Sequence, residues 1–198
     1  MADRPLIVGL GGTTQAESST ECALRIAIEA AGACGARTLL FDGPTLSRLP
    51  HYGPGRGNSE PALEVIQALR DADGVILASP GYHGSVSGLV KNAIDYFEET
   101  ARDARAYLDG LPVGLIATAY GWQATGSTLA ALRSIVHALR GWPTPFGAGI
   151  NVANRPFSAG ACNDPGIQDQ LETVGKQVFA FASMRHHGTH ISTQIKAA

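Results

Sequence analysis

Short apolar runs alternate with longer stretches whose apolar residues recur at helical spacing, and the alternation repeats along almost the whole chain. Leu6-Ile-Val-Gly-Leu10 reads as a buried strand, and Glu17 to Ala33 as a helix carried by Ala23, Leu24, Ile26, Ala27 and Ala30. Thr38-Leu-Leu-Phe41 is a second strand, ending at Asp42-Gly43-Pro44. The proline- and glycine-rich segment from Pro44 to Gly57 reads as a loop, and helical spacing resumes from Pro61 through Leu63, Ile66 and Leu69. Gly74-Val-Ile-Leu-Ala78 is a third strand. It leads into a loop, Ser79 to Ser85, and then a helix from about Ser87 to Glu99 with Leu89, Val90, Ala93, Ile94 and Phe97 on one stripe. Val113 to Ala117 is a fourth strand, Tyr120 to Gly126 a loop, and Ser127 to about Arg140 a helix stopped by Gly141 and Pro143. Pro145 to Val152 is a weaker fifth strand. The last helix opens at Asp164-Pro165, with Asn163 or Asp164 as cap, and ends near Met184.

Strands separated by helices pair in parallel, because only a crossover connection packs each helix back onto the sheet. The expectation is an α/β fold, a doubly wound five-stranded parallel sheet with helices on both faces. Residues 1–185 form its single domain and 186–198 a C-terminal tail. Ligands of such sheets bind outside the carboxyl ends of the strands. That brings together three loops: Gly9 to Thr20, Ser79 to Ser87, and Ala119 to Gly126.

Composition narrows the classes. The 198 residues are 44% hydrophobic and only 16% charged, with a formal net charge of −2, so no broad positive field is available for nucleic acid. Three cysteines without Cys-x-x-Cys spacing suggest neither a disulfide framework nor a zinc site. The apolar run near Met1 is too short for a signal peptide, and no other run is long enough to span a bilayer. A soluble, cytoplasmic protein with no nucleic-acid or membrane partner is expected.

The first loop, Gly9-Leu-Gly-Gly-Thr-Thr-Gln-Ala-Glu-Ser-Ser-Thr20, sets small and hydroxylated residues between a strand and a helix start. Two readings stand. Free amides and the hydroxyls of Thr13, Thr14, Ser18, Ser19 and Thr20 could hold a phosphate, or Ser18 or Ser19 could simply cap the helix after a Gly11-Gly12 turn. Two other phosphate motifs fail: there is no Gly-x-x-x-x-Gly-Lys-Ser/Thr, and the third glycine of Gly-x-Gly-x-x-Gly is Thr14.

The second loop and the helix after it are the more specific signal. Pro80, Tyr82, Gly84, Ser85, Gly88, Lys91, Asn92, Ala93 and Asp95 match a Pro-Glu-Tyr-Asn-Gly-Ser-x-x-Gly-x-Leu-Lys-Asn-Ala-x-Asp pattern. The chain thereby resembles the NADPH-dependent FMN reductase family of flavodoxin-like proteins. The resemblance implies FMN, with NADPH or NADH, as cofactors. It places Gly12, Thr13, Thr14, Gln15, Ser18, Ser19 and Thr20 around the FMN phosphate, and Pro80, Gly81, Tyr82, His83, Gly84 and Ser85 along the isoalloxazine. Tyr120, Gly121 and Trp122 form a further wall, although such aromatics also simply close the edge of a core. The sequence departs from the pattern at Gly81 and His83, where the family carries Glu and Asn. It also lacks the arginine often present in the phosphate loop, where Gln15 lies nearby.

The implied activity is hydride transfer from a nicotinamide cofactor to FMN, with the flavin carrying the chemistry and no catalytic side chain or metal required. A partner monooxygenase could consume the reduced FMN, and a homodimer or homotetramer is expected. The alternatives are a bound-FMN reductase of quinones, azo dyes or metal oxyanions, and a non-enzymatic electron carrier. A carrier's acidic docking face is not suggested by a charge of −2. His186-His-Gly-Thr-His190 has metal-like residue types, but Gly188 is expected to interrupt any helix there, so a solvated tail is the reading. Lys91 and Asp95 form an i,i+4 pair on a helix face.

Overall fold

A computed structural model describes residues 4–55 and 59–196, with side chains through Arg185. The strands β1 (Leu6–Gly11), β2 (Arg37–Phe41), β3 (Gly74–Tyr82) and β5 (Pro112–Ala119) lie in the order β2-β1-β3-β5, all parallel. The fifth strand is split. Trp142–Pro143 (β6) pairs with the start of β5 and Ala148–Asn151 (β7) with its end, so the weak strand expected from Pro145 begins three residues earlier and is broken between the two pieces. Thr144 spans that break; its hydroxyl reaches the carbonyl of Phe146 at 3.1 Å.

Successive side chains on a strand point to opposite faces, and here both faces are covered. Val8, Leu10, Val75, Leu77, Val113 and Leu115 pack under α3 (Glu60–Asp71), α4 (Gly88–Asp95) and α5 (Trp122–Ala138). Ile7, Ile76, Ile116 and Ile150 pack under α1 (Ser19–Ala33) and α6 (Pro165–Lys196). This is the doubly wound parallel sheet the pattern predicts, with its fifth strand in two pieces.

Several boundaries differ from the expectation. The proline- and glycine-rich loop holds a single-turn helix, α2 (Gly43–Leu46), because Asp42 caps it by accepting from the amide of Thr45 at 2.9 Å. The helix after Ser87 gives way at Tyr96 to a 3-10 turn through Thr100. Helix α6 runs to Lys196, past Gly188, since a glycine costs a helix only about 1 kcal/mol and does not by itself end one. Asp164 is its cap, accepting from the amides of Gly166 at 2.9 Å and Ile167 at 3.1 Å. The side chains of His186 and His190 lie outside the described residues. Among the described residues no helix is long and apolar enough to cross a membrane, and no cluster of three metal-ligating side chains occurs.

Helices α1 and α6 touch through backbone. A Cβ on Gly175 would stand 2.0 Å from the carbonyl oxygen of Ala27 and 3.1 Å from the amide of Ala31, neither of which can rotate away. Gly175→Val should therefore force the helices apart at a cost of about 1–3 kcal/mol, lowering the melting temperature by about 2–4 °C per kcal/mol for a chain of this size. A thermal melt that matches the parent protein would contradict this packing.

Candidate functional site

The three loops meet at the carboxyl edge of β1, β3 and β5. Gly11 lies beside Ala78 in the sheet register, and a Cβ there would sit 2.2 Å from the Ala78 carbonyl oxygen. Behind the first loop, Gly12 takes φ +119°, and a Cβ on Gly43 would stand 1.6 Å from the carbonyl oxygen of Thr13. The loop is thus seated on α2 by backbone alone, and only glycine fits at these contacts.

Its hydroxyls divide into two groups. Thr13 is turned into its own loop, accepting from the amide of Gln15 at 3.2 Å and donating to the Gln15 carbonyl at 3.1 Å. Ser18 is the cap of α1, accepting from the amide of Glu21 at 3.3 Å. Thr20 is buried, and its hydroxyl pairs with that of Thr118 at 2.6 Å, tying the first loop to the end of β5. Thr14, exposed, and Ser19, half-buried, have hydroxyls that make no hydrogen bond among the described residues. The amides of Ser19 and Thr20 open the helix with no carbonyl of a preceding turn to donate to. The cap and phosphate readings thus fall on different residues: Ser18 caps, while Thr14, Ser19 and the opening amides face no other demand. Gln15 is exposed.

The local charge is negative. Glu21, buried in the first turn of α1, holds Arg25 at 2.8 Å with Oε1, while its buried Oε2 has no hydrogen-bond partner among the described residues. The buried Cys22 thiol donates to the Glu17 carbonyl at 3.6 Å. Burial pushes its pKa up, as do Glu21 and Glu17, so it stays a thiol.

The second loop is a hairpin rather than a free loop. β3 continues through Pro80 and Gly81 to Tyr82, turns, and pairs back through β4 (Ser85–Val86), with Tyr82 opposite Ser85. His83 (φ 51°) and Gly84 (φ 84°) occupy the turn. Positive φ at both central residues is the type I′ geometry that suits the twist of a two-residue hairpin. The Ser79 hydroxyl accepts from the Ser87 amide at 2.9 Å and closes the hairpin base. Pro80 is buried; Tyr82, His83, Gly84 and Ser85 are exposed.

The third loop is shorter than expected. Only Tyr120 and Gly121 are outside regular structure, and α5 starts at Trp122, so Trp122 sits on its first turn. A Cβ on Gly81 would stand 2.7 Å from Thr128 Oγ1 and 3.1 Å from the Ala124 carbonyl oxygen. Without one, the hairpin lies directly on α5. Tyr82, Tyr120 and Trp122 are 54%, 82% and 69% exposed, so none is spent on closing the core.

One residue of the long motif has a role that composition did not reveal. Asn92 clamps the connection between α2 and α3: its Oδ1 accepts from the Tyr52 amide at 2.8 Å and its Nδ2 donates to the Pro50 carbonyl at 2.9 Å. Tyr96 donates to the same carbonyl at 3.0 Å, and the Tyr52 hydroxyl donates to Glu99 at 3.1 Å. Burial first, and then the hydrogen bond to Glu99, push Tyr52 up to about 12. Lys91 pairs with Asp95, as their spacing predicts.

The sequence profile of the NADPH-dependent FMN reductase family matches residues 5–153, three quarters of the chain and all of the elements just described up to β7. The chain belongs to the NADPH-dependent FMN reductase family. Among curated relatives, an FMN-dependent NADPH-azoreductase of Staphylococcus saprophyticus is 42% identical over 76 residues, covering 38% of this chain and 37% of that protein. One from Staphylococcus aureus is 37% identical over 89 residues, 41% of this chain and 44% of that protein. The chain thus spans well under half the length of the curated relatives it matches. Among solved structures, the NAD(P)H:(acceptor) oxidoreductase FerB of Paracoccus denitrificans has a TM-score of 0.74 at 19% identity, over 91% of this chain and 98% of that one. An NADH:FMN oxidoreductase in its apo form has a TM-score of 0.68 at 21% identity, over 89% of each chain. These structural likenesses establish the shared flavodoxin-like fold.

In this family's usual pattern an asparagine stands where His83 does. Asparagine tolerates the left-handed region better than histidine does, and a β-branched residue there is costly. His83→Asn should therefore keep or raise stability by up to about 1 kcal/mol, and His83→Val lower it by about 1–2 kcal/mol. Urea unfolding reads both. A valine variant as stable as the parent would contradict the turn geometry.

Proposed function

We propose that the protein is an NAD(P)H-dependent FMN reductase. The observation that carries this reading is the convergence of an uncharged amide-and-hydroxyl cradle, a glycine-bearing hairpin and three exposed aromatic rings at one sheet edge, in a chain of this family. The residues fit FMN on the chain's own chemistry. The opening amides of α1, with the hydroxyls of Thr14 and Ser19, would hold the phosphate at the positive end of the helix dipole. Gly12, Thr13, Gln15, Ser18 and Thr20 would shape that loop from behind. The hairpin from Pro80 to Ser85 would border the ring, with Tyr82, Tyr120 and Trp122 as aromatic walls and Gly121 and Gly84 allowing close approach of backbone.

When bound, FMN supplies a ring that accepts hydride from the nicotinamide. The chain's own work is to orient the two rings, which lowers the barrier by positioning alone. No side chain at this edge is required as acid, base or nucleophile.

The cradle contains no basic residue, and the carboxylate in the first turn of α1, Glu21, is already paired with Arg25 at 2.8 Å. The phosphate would be held by amides and hydroxyls only, without the ion pair and bidentate donors that an arginine adds. FMN should accordingly exchange readily and behave as a substrate, leaving to serve a partner such as a flavin-dependent monooxygenase. The three described cysteines are all unpaired, which supports a cytoplasmic site of action. Exposed Trp142 and Met184 support assembly as a homodimer or homotetramer. A second reading, a bound-flavin reductase of azo compounds or quinones, draws support from the activity for which the staphylococcal relatives are named.

Equilibrium dialysis with an NAD(P)H-oxidation assay decides between them. The expected outcome is that dialysis strips FMN and that added FMN restores turnover with saturation in the micromolar range usual for substrates. FMN retained at full occupancy, with no gain from added flavin, would favour the bound-flavin reading. Ser19→Glu should weaken FMN at least tenfold and riboflavin much less, because only the phosphate feels the added charge. Equal losses for both flavins would move the phosphate elsewhere.

A further inference from the structure

Large apolar side chains left exposed gather at the two ends of the sheet. Among the described residues, Tyr82, Tyr120 and Trp122 stand at the carboxyl edge, and Trp142, Phe181 and Met184 stand together around a cavity of about 540 Å³ at the opposite end. That cavity lies where β6 pairs with the start of β5, beside α6, and Pro112, Pro143 and Arg185 also line it. Strand β5 runs from Pro112 to Ala119, so the cavity is about 23 Å along the strand from the third loop and takes no part in the flavin site.

The walls offer a ligand little backbone polarity. Pro112, Pro143 and Pro145 have no N–H, and the amides of Gly110, Trp142 and Thr144 donate to the carbonyls of Arg140, Leu111 and Val113 at 3.2, 2.8 and 2.9 Å. The Thr144 hydroxyl is spent on the Phe146 carbonyl, and the carbonyls of Thr144 and Pro145 accept from Arg133 at 3.5 and 3.4 Å. The lining therefore presents an apolar surface, the indole of Trp142 and the guanidinium of Arg185, its one charged group among the described residues. Gly110 makes room for that guanidinium: it takes φ +69°, and a Cβ on it would stand 3.9 Å from Arg185 Nη2. The volume falls within the range of about 300–1,000 Å³ usual for small-molecule sites, and an apolar, aromatic wall with a single oriented polar group is their usual chemistry.

We infer that this cavity is a second binding site, for an aromatic molecule that carries one negative charge. The ring lies against Trp142, Phe181 and Met184, and the anionic group meets Arg185. A nucleotide suits it poorly, since a single cation among apolar walls does not match several phosphate charges. The flavin site is at the far end of the sheet, so this inference holds or falls independently of the flavin reading.

Two probes of one shape test it. 1-Anilinonaphthalene-8-sulfonate is an aromatic monoanion, and N-phenyl-1-naphthylamine is the same body without the charge. Calorimetric titration of the whole protein saturated with FMN should find one sulfonate probe per chain, with a Kd of about 10–100 µM, the range expected of a ligand of this size. Without added flavin, energy transfer from tryptophan to the bound probe should be lost in Trp142→Phe and kept in Trp122→Phe. Arg185→Gln should weaken the sulfonate about fivefold, the upper range for a solvent-exposed ion pair, and leave the uncharged probe within about twofold. Met184→Glu should weaken the sulfonate about tenfold by like-charge repulsion. Displacement of the probe by FMN, energy transfer that follows Trp122 instead, or an equal response of both probes to Arg185→Gln would overturn the inference. Because Trp142 and Met184 also serve the assembly proposed above, sedimentation velocity accompanies each variant. Probe loss confined to variants that change the assembly state would assign the cavity to a subunit contact and overturn the inference as well.

Discussion

A parallel sheet whose strands are buried on both sides leaves no face for chemistry, and that constraint organises the whole molecule. Ile7 and Val8, adjacent in sequence, serve opposite cores, and so do Leu115 and Ile116. With both faces filled by apolar side chains, a ligand can only be met where the strands stop. Everything that would touch the flavin, from the hydroxyls of the first loop to the rings of Tyr82 and Trp122, stands on one such edge. The buried hydroxyl pair of Thr20 and Thr118 fixes how the edge is assembled, since a lone buried hydroxyl would cost more than the pair contributes.

The alternation of apolar runs and amphipathic stretches was enough to read the layers, because periods of two and 3.6 are imposed by burial itself. Contacts that involve no periodic side chain were not readable. The hairpin at Tyr82 stayed hidden because its turn depends on His83 accepting a left-handed backbone, and histidine is no turn signal. The early start of α5 stayed hidden because Trp122-Gln-Ala-Thr-Gly126 reads as a loop by its glycine, and no side chain caps the helix at Gly121; Thr125 instead bonds back within the first turn, donating to the Gly121 carbonyl at 2.7 Å. A glycine at 188 looked like a helix stop and is not one.

In the candidate site the sequence identified the segments but not the division of labour within them. Five hydroxyls look equivalent on paper. In the fold Thr13, Ser18 and Thr20 hold the loop in shape, and Thr14 and Ser19 are left over. Nothing in a single sequence separates these roles, because they follow from which way each side chain turns once the helix has begun. Asn92 illustrates the same point. It sits within a recognisable motif, yet its task is to hold a distant connection through backbone atoms of Pro50 and Tyr52, whose identities leave no trace at position 92.

The bare backbone at Gly81 reaches beyond local packing. Thr128 Oγ1, the Ala124 carbonyl and the Ala119 methyl all lie within 3.2 Å of where its Cβ would be. A chain with a glutamate at this position has to hold the helix after β5 farther from the hairpin. The residue at 81 and the seat of that helix are therefore not free to vary separately. The Ala124 contact is a backbone carbonyl that any residue at 124 would present, so trimming one neighbour would not make room for a side chain at 81. Only a shift of the whole first turn of α5 does that, and such a shift would carry the indole of Trp122 with it.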